Sequence, residues 1–135
     1  MASRSRADSL EQRSAQLLDL SDIARELGVA VNTAKAWLSV LEATYQVFLL
    51  RPFHANVGKR LVKTPKSFIT DTGFACHLSM AEDWQSLMDR NLAGAMVETW
   101  VAGELMKMAS LFPGRTDLWY WRTHFGAEVD FILER

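Results

Sequence analysis

The chain has 135 residues, of which 49% are hydrophobic and 23% charged, so it has the composition of a soluble globular protein and not of a disordered one. The net charge of −1 hides an asymmetry between the two halves. Residues 1–70 contain ten Lys/Arg and six Asp/Glu, whereas residues 71–135 contain five Lys/Arg and ten Asp/Glu. The single cysteine excludes an intrachain disulfide, and no apolar run can act as a secretory signal or span a bilayer. We therefore predict a cytoplasmic protein without membrane contact, with a basic and an acidic half that differ in their partners.

The first third of the chain shows three helical patterns. "SLEQRSAQLL" has leucines at helical spacing and predicts a short first helix. "LDLSDIARELG" predicts a second helix, which Asp19 can cap and Gly28 ends. "VAVNTAKAWLSVLEATY" predicts a third helix, with Asn32 or Thr33 near its start and Trp37 in the core. The second and third patterns have the spacing of a helix-turn-helix, since Gly28 permits the left-handed turn between them.

Strand patterns follow the helix-turn-helix. "YQVFLLRPF" predicts a strand ending at Pro52, "HANVGKR" a turn, and "LVK" and "SFIT" short strands on either side of Pro65. A strand pair in this place is a wing, so residues 1–70 are predicted to form a winged helix-turn-helix domain.

The predicted recognition helix and wing carry residue types that contact base edges or phosphates. Protein docking is the alternative use of such a domain, and the presence of one cation and one acid, Glu42, on the recognition helix favours it. The candidate DNA-binding residues are Asn32, Thr33, Lys35, Lys59, Arg60, Lys63 and Lys66.

Residues 71–135 are predicted to form helices followed by a β-hairpin. "DTGFACHLS" and "AEDWQSLMDRN" predict short helices, and "LAGAMVETWVAGELMKMASLF" predicts a long amphipathic one. "LWYWR" and "EVDFILE" predict strands joined by the loop "THFGA". The last strand has an open edge, so a homo-oligomer through this edge is a further prediction.

Three acidic residues are the candidate catalytic and metal-binding groups of this half. Glu128 and Asp130 lie on one face of the last strand, and Glu98 lies on the long helix. Carboxylates on a helix and an adjacent hairpin can hold Mg²⁺ for phosphodiester hydrolysis, usually with a lysine from a further strand. The second half offers no such lysine before its end at Arg135. The alternative is a structural role in which the acids pair with Arg122 or Arg90.

The motifs "GKRLVKTPK", "DTGFA" and "YWR…G.EVDF" carry a family resemblance. With the surrounding residues from about Gln12 onward, they resemble the C-terminal part of bacterial and archaeal AAA-type ATP-binding proteins. That part comprises a winged helix and domain of unknown function 4143. The resemblance implies an α+β fold, a winged helix-turn-helix followed by a partial restriction-endonuclease-like α/β module of the PD-(D/E)XK type. It also implies metal-binding roles for Glu98 and Asp130, with Glu128 beside them.

The sequence departs from this family in two respects. It has no phosphate-binding loop, since Gly58-Lys59 lacks both the preceding glycine spacing and a following Ser/Thr. It also lacks the final Glu-x-Lys strand, so we expect a chain truncated at both ends. The leading prediction is a non-catalytic module that binds DNA or protein through the winged helix and has no cofactor of its own. The alternative is a Mg²⁺-dependent nuclease with an incomplete site.

Overall fold

The computed structural model describes residues 13–53 and 61–135. These residues form a mixed α+β fold of five helices and five strands, which confirms the predicted fold class at this level. The helices are α1 (Leu20–Leu27), α2 (Val31–Ala43), α3 (Thr72–Leu78), α4 (Trp84–Asp89) and α5 (Ala93–Leu111). The strands are β1 (Gln16–Leu17), β2 (Val47–Pro52), β3 (Lys66–Ile69), β4 (Asp117–Arg122) and β5 (Glu128–Glu134).

All five strands belong to one mixed sheet in the order β1-β3-β2-β4-β5. β3 pairs antiparallel with both β1 and β2, and β4 pairs antiparallel with β5. The join between the two halves of the chain is the short parallel pairing of β2 with β4, where Arg51 lies opposite Trp119. Strands from both sides of the boundary predicted near residue 70 therefore share one sheet.

The sheet curls so that β3 and β5 face each other. In a flat sheet, three strand spacings would separate β3 and β5 by about 14 Å. The ring centroids of Phe68 on β3 and Phe131 on β5 are instead 6.4 Å apart. Phe68 also stacks on Phe48 of β2, with centroids 5.2 Å apart. This curl brings the side chains of β3 within reach of those of β5.

The core lies between the curled sheet and α5. Phe68, Tyr120 and Ala102 have no exposed surface, and they are the centre of the main buried cluster. A second cluster packs α3, α4 and the start of α5 against the end of β3. Its buried members are Ile69, Ala75, Leu87, Ala93 and Met96.

Helices α1 and α2 are consecutive, and the chain turns between them at Gly28. The Asp19 carboxylate caps α1 by accepting a hydrogen bond of 2.9 Å from the Asp22 backbone N–H. Gly28 ends α1 in the left-handed region, with φ of 66°. Ala24 and Ala34 are 2% and 4% exposed, and side chains this small allow the two helices to approach closely. The second and third predicted helices are thereby confirmed as α1 and α2.

The first predicted helix, over "SLEQRSAQLL", is wrong where the structure describes it. Gln16 and Leu17 are extended and pair with Ser67 and Lys66 of β3, because β3 offers an open backbone edge that a helix could not use. Residues 9–12 of that segment lie outside the described ranges.

Trp37 is also placed differently from its prediction. It is 50% exposed, because the side of α2 that faces the rest of the fold is occupied by Ala34, Leu38 and Leu41.

Of the predicted strand "LVK", Leu61 makes an isolated bridge to Thr123. The turn predicted over residues 54–60 lies outside the described residues.

The left-handed Gly28 gives a stability prediction. We expect Gly28→Ala to lower the free energy of unfolding by about 1 kcal/mol, because an L side chain disfavours φ of 66°. A Cβ at this position would meet nothing within 4 Å, so the cost is conformational and not steric. The matched control is Gly94→Ala in α5, also without neighbours but helical, which we expect to be neutral or stabilising. Urea unfolding followed by circular dichroism measures both, and equal effects at the two sites would contradict the prediction.

None of the described helices combines the length and apolarity that a membrane crossing requires.

Candidate functional site

Four charged side chains converge at one end of the curled sheet. The Lys66 ammonium forms an ion pair with Glu98 Oε1 at 2.8 Å and a closer one with Glu128 Oε1. Asp130 Oδ1 lies 3.7 Å from the same Nζ. One oxygen from each of the three carboxylates lies within 4.8 Å of the others. We call these four residues the Lys66 cluster.

Two elements of the second half position the acids. Glu98 lies on α5, where the adjacent Thr99 exchanges a buried hydrogen bond of 2.7 Å with the Ser14 hydroxyl and so attaches the helix to the segment before β1. Glu128 and Asp130 project from the same face of β5, because side chains two apart on a strand share a face. The β4–β5 hairpin places Glu128 opposite Arg122.

Lys66 comes from the first half of the chain. It is the first residue of β3, and its backbone pairs with Leu17 on one side and Leu50 on the other. Its ammonium lies 5.5 Å from the ring centroid of the buried Tyr120. The Tyr120 hydroxyl in turn donates a hydrogen bond to the Thr64 carbonyl, two residues before Lys66. Neighbours on three strands thus fix the position of the lysine.

The cluster is partly buried and opens into a polar cavity of about 360 Å³. The Lys66 side chain is only 3% exposed, whereas that of Asp130 is 59% exposed at the cavity mouth. Arg122 also lines the cavity. The acids are therefore reachable from solvent while the lysine lies beneath them.

The electrostatics of the cluster favour a charged lysine. Burial alone would lower the pKa of Lys66, but hydrogen bonds to Glu128 and Glu98, and their negative charges, raise it above its ordinary value. Burial raises the pKa of Glu98, and the charges of Asp130 and Glu128 add to this effect, whereas Lys66 opposes it. Three carboxylates around one ammonium leave two net negative charges when all groups are ionised.

The arginines predicted to pair with the acids behave differently from one another. Arg122 Nη1 lies 3.7 Å from Glu128 Oε2, so this pairing is present at the edge of the cluster. Arg90 instead donates to the Ser79 carbonyl. Arg122 therefore provides part of the ion pairing that the structural alternative predicts, and Lys66 provides the closer cation.

The donor set fits a hard divalent cation. Mg²⁺ and Mn²⁺ prefer carboxylate oxygens, and three such oxygens within 4.8 Å of one another can share one ion. The excess negative charge of the cluster favours the same kind of ligand. Glu98, Glu128 and Asp130 are the residues that would hold it.

The predicted recognition helix, α2, presents a mixed surface. Asn32 and Lys35 are exposed, and Thr33 is half-buried. Trp37 and Val40, which are 50% and 60% exposed, add apolar area to this helix. Lys35 is its sole cation, so the surface of α2 suits protein contact as well as DNA contact.

The predicted basic wing is divided. Lys63 is exposed, as is Arg51 on β2. Lys66, also predicted to contact DNA, is instead 2% exposed and belongs to the Lys66 cluster. Lys59 and Arg60 lie outside the described residues.

Three further features of the described residues lie apart from the four side chains of the Lys66 cluster. An apolar cavity of about 370 Å³ lies between the α1–α2 pair and β3, but its lining holds no group of titratable side chains. Strand β5 is at the sheet edge, with Val129 and Leu133 45% and 48% exposed, and self-association through it stays a prediction. The Cys76 thiol is half-buried, and burial raises its pKa.

Sequence reasoning missed Lys66 as a partner of the acids. Lys66 is 32 residues before Glu98, and the sequence pattern places it in the predicted basic wing. A signal was present: Lys66 and Phe68 are two apart on a short strand, so an inward Phe68 implies an inward Lys66. The partner of that buried ammonium could not be read from spacing.

Comparisons with known proteins identify two regions without assigning a function. Residues 4–85 match Domain of unknown function (DUF8612), and residues 93–135 match Domain of unknown function (DUF4143), as the resemblance implied for the latter. Uncharacterized proteins of Mycobacterium bovis (Mb2031c) and Mycobacterium tuberculosis (Rv2008c) are each 36% identical over 119 residues. Those residues are 88% of this chain but 26% of either relative, so the chain spans about a quarter of their length.

No solved structure matches the chain significantly. The AAA-type ATPase context stays a prediction, as do the winged-helix and endonuclease-like assignments. Because the first match covers more than half of the 135 residues, the chain belongs to the family Domain of unknown function (DUF8612) and carries a DUF4143 region after it.

Proposed function

We propose that the Lys66 cluster is a divalent-cation-dependent phosphodiesterase site of the nuclease type. The observation that carries this proposal is the convergence of three carboxylates with a buried lysine in an open polar cavity. The second half of the chain offers no lysine on a further strand beside the acids, which favours a non-catalytic module. A lysine supplied by β3 removes that objection.

Each residue of the cavity has a role in this proposal. Glu98, Glu128 and Asp130 hold the cation, and Asp130 at the mouth is the most accessible of them. A bound divalent cation would shield phosphate charge and lower the pKa of a coordinated water. Arg122, with its side chain 38% exposed at the cavity, can bind a non-bridging phosphate oxygen. The cavity of about 360 Å³ has room for a phosphodiester group.

The charge distribution supports a polynucleotide substrate. The first half of the chain has a net charge of +4. Among its exposed cations, Lys63 follows Val62, whose backbone N–H donates to the carbonyl of the cavity residue Arg122, so Lys63 can contact a phosphate next to the cleaved bond. A small phosphate ester would not extend to this cation.

Nuclease assays with the purified chain test the proposal directly. Supercoiled plasmid and end-labelled duplex and single-stranded oligonucleotides are incubated with MgCl₂, MnCl₂ or EDTA. We expect cleavage with either cation and none with EDTA, together with Mn²⁺ binding measured by calorimetry. The absence of both cleavage and Mn²⁺ binding would overturn the proposal.

A second candidate function is binding of DNA or protein through α2. It is favoured by the exposure of Asn32 and Lys35 beside the apolar Trp37 and Val40. Fluorescence anisotropy of labelled duplex in EDTA separates this function from cleavage. Binding that weakens steeply with salt supports a DNA contact, and its absence at low salt leaves α2 as a protein-docking surface.

A further inference from the structure

We propose that Lys66 is a positioning residue of this site, whose ammonium occupies the place of the divalent cation, so that ammonium and cation exchange on the same carboxylates. The inference rests on the proposed function, because it concerns the cation of that site. It goes further in stating what holds the acids together before the cation binds and which group must move when it does.

The ammonium already contacts all three carboxylates that a cation would use. The Lys66 Nζ lies 2.8 Å from Glu98 Oε1, closer still to Glu128 Oε1, and 3.7 Å from Asp130 Oδ1. A magnesium or calcium ion coordinates oxygen at about 2.0–2.6 Å. One oxygen from each carboxylate lies within 4.8 Å of the others, so an ion shared by the three carboxylates would compete with Nζ for the same side chains.

The charges favour exchange over co-occupancy. With Lys66 alone, the three carboxylates keep two net negative charges, so the ammonium neutralises the cluster only in part. A divalent cation in its place leaves one. The ammonium and the cation would repel each other strongly at the separation imposed by shared oxygens. Binding of the cation is therefore linked to withdrawal of the ammonium.

The cavity gives the displaced ammonium somewhere to go. Lys66 lines the polar cavity together with Arg122, and its side chain has four flexible carbons. An ammonium released from the acids can move into that space. Lys66 thus holds the three acids together until the cation replaces it.

The inference also joins the two matched regions into one unit. Lys66 lies in the DUF8612 match, whereas Glu98, Glu128 and Asp130 lie in the DUF4143 match. The four-residue cluster exists only when β3 and β5 face each other across the curled sheet.

The test compares cation affinity in the full chain and three variants. Mn²⁺ binding is measured by calorimetry for the wild type, Lys66→Met, Lys66→Arg and Lys107→Met. Lys107 is an exposed lysine on α5 that pairs with Glu104 and serves as the matched control. We expect Lys66→Met to bind Mn²⁺ at least tenfold more tightly than the wild type, because a competing charge is removed. Lys66→Arg and Lys107→Met should bind within about threefold of the wild type.

A second readout does not depend on any variant folding. In the wild type, Mg²⁺ titration should shift the ¹³Cε resonance of Lys66 and leave that of Lys107 unchanged. A third readout is thermal unfolding, in which Mg²⁺ should raise the Tm of Lys66→Met more than that of the wild type, since the metal-free variant lacks the ammonium that compensates the acids.

The outcomes separate this inference from the proposed function. One outcome is that the wild type binds Mn²⁺, Lys66→Met binds it no more tightly, and the Lys66 resonance does not shift. This outcome overturns the exchange but still supports the cation site. No Mn²⁺ binding by the wild type or any variant overturns both. Tight binding by Lys66→Met with a Lys66 resonance that shifts in the wild type supports the exchange and the cation site on which the proposed function depends.

Discussion

Asp130→Asn is expected to lower the cation-dependent cleavage rate at least about 100-fold with little change in stability. Removing a group that only orients a metal ligand commonly lowers metal affinity or activity 10- to 100-fold. Removing the charge of a ligand itself should therefore lower the cleavage rate by at least about 100-fold. The Asp130 side chain is 59% exposed and 3.7 Å from Lys66, so its contribution to folding is small, about 1 kcal/mol or less. Single-turnover cleavage of labelled DNA and urea unfolding of the same samples provide the two measurements.

A carboxylate on the same strand is the control for this change. Glu134 is exposed at the end of β5 and does not reach the Lys66 cluster, so Glu134→Gln removes the same charge from the same strand. We expect its cleavage rate to stay within twofold of the wild type. Equal rates for Asp130→Asn and the wild type, at saturating Mg²⁺, would remove Asp130 from the proposed site. Equal losses in both variants would indicate an effect of net charge on substrate binding.

Phe68→Ala is expected to lower the free energy of unfolding by about 3–5 kcal/mol. Phe68 has no exposed surface, and its ring stacks on Phe48 and contacts Phe131. It also lines the apolar cavity of about 370 Å³, so truncation would enlarge an existing void that the surroundings cannot readily fill. A loss of this size is a large fraction of the stability of an ordinary domain, about 5–15 kcal/mol.

Urea unfolding measures this loss, and Leu111→Ala provides the control. Leu111 is 82% exposed at the end of α5, so we expect its truncation to change the unfolding free energy by less than about 0.5 kcal/mol. Phe68→Ala should also weaken Mn²⁺ binding, because the contact between Phe68 and Phe131 holds β3 against β5. A variant that loses stability while keeping full Mn²⁺ affinity would show that the curl does not depend on this contact.

Local patterns predicted most of the individual elements. The stop at Gly28, the strand ending at Pro52, the long helix α5 and the β4–β5 hairpin follow from caps, turn residues and apolar periodicity within a few positions. The failure of the first predicted helix is instructive, because Gln16 and Leu17 become a strand only by pairing with β3, about 50 residues later. Leucines at helical spacing cannot report a partner so distant in sequence.

The sequence by itself determined which acids belong together on β5, since a period of two places Glu128 and Asp130 on one face. It also determined that Glu98 lies on a helix next to that hairpin. What only the tertiary structure decided is the fourth member of the cluster. Lys66 meets the acids because the sheet curls until Phe68 and Phe131 touch, and curvature depends on packing across strands that no local pattern encodes.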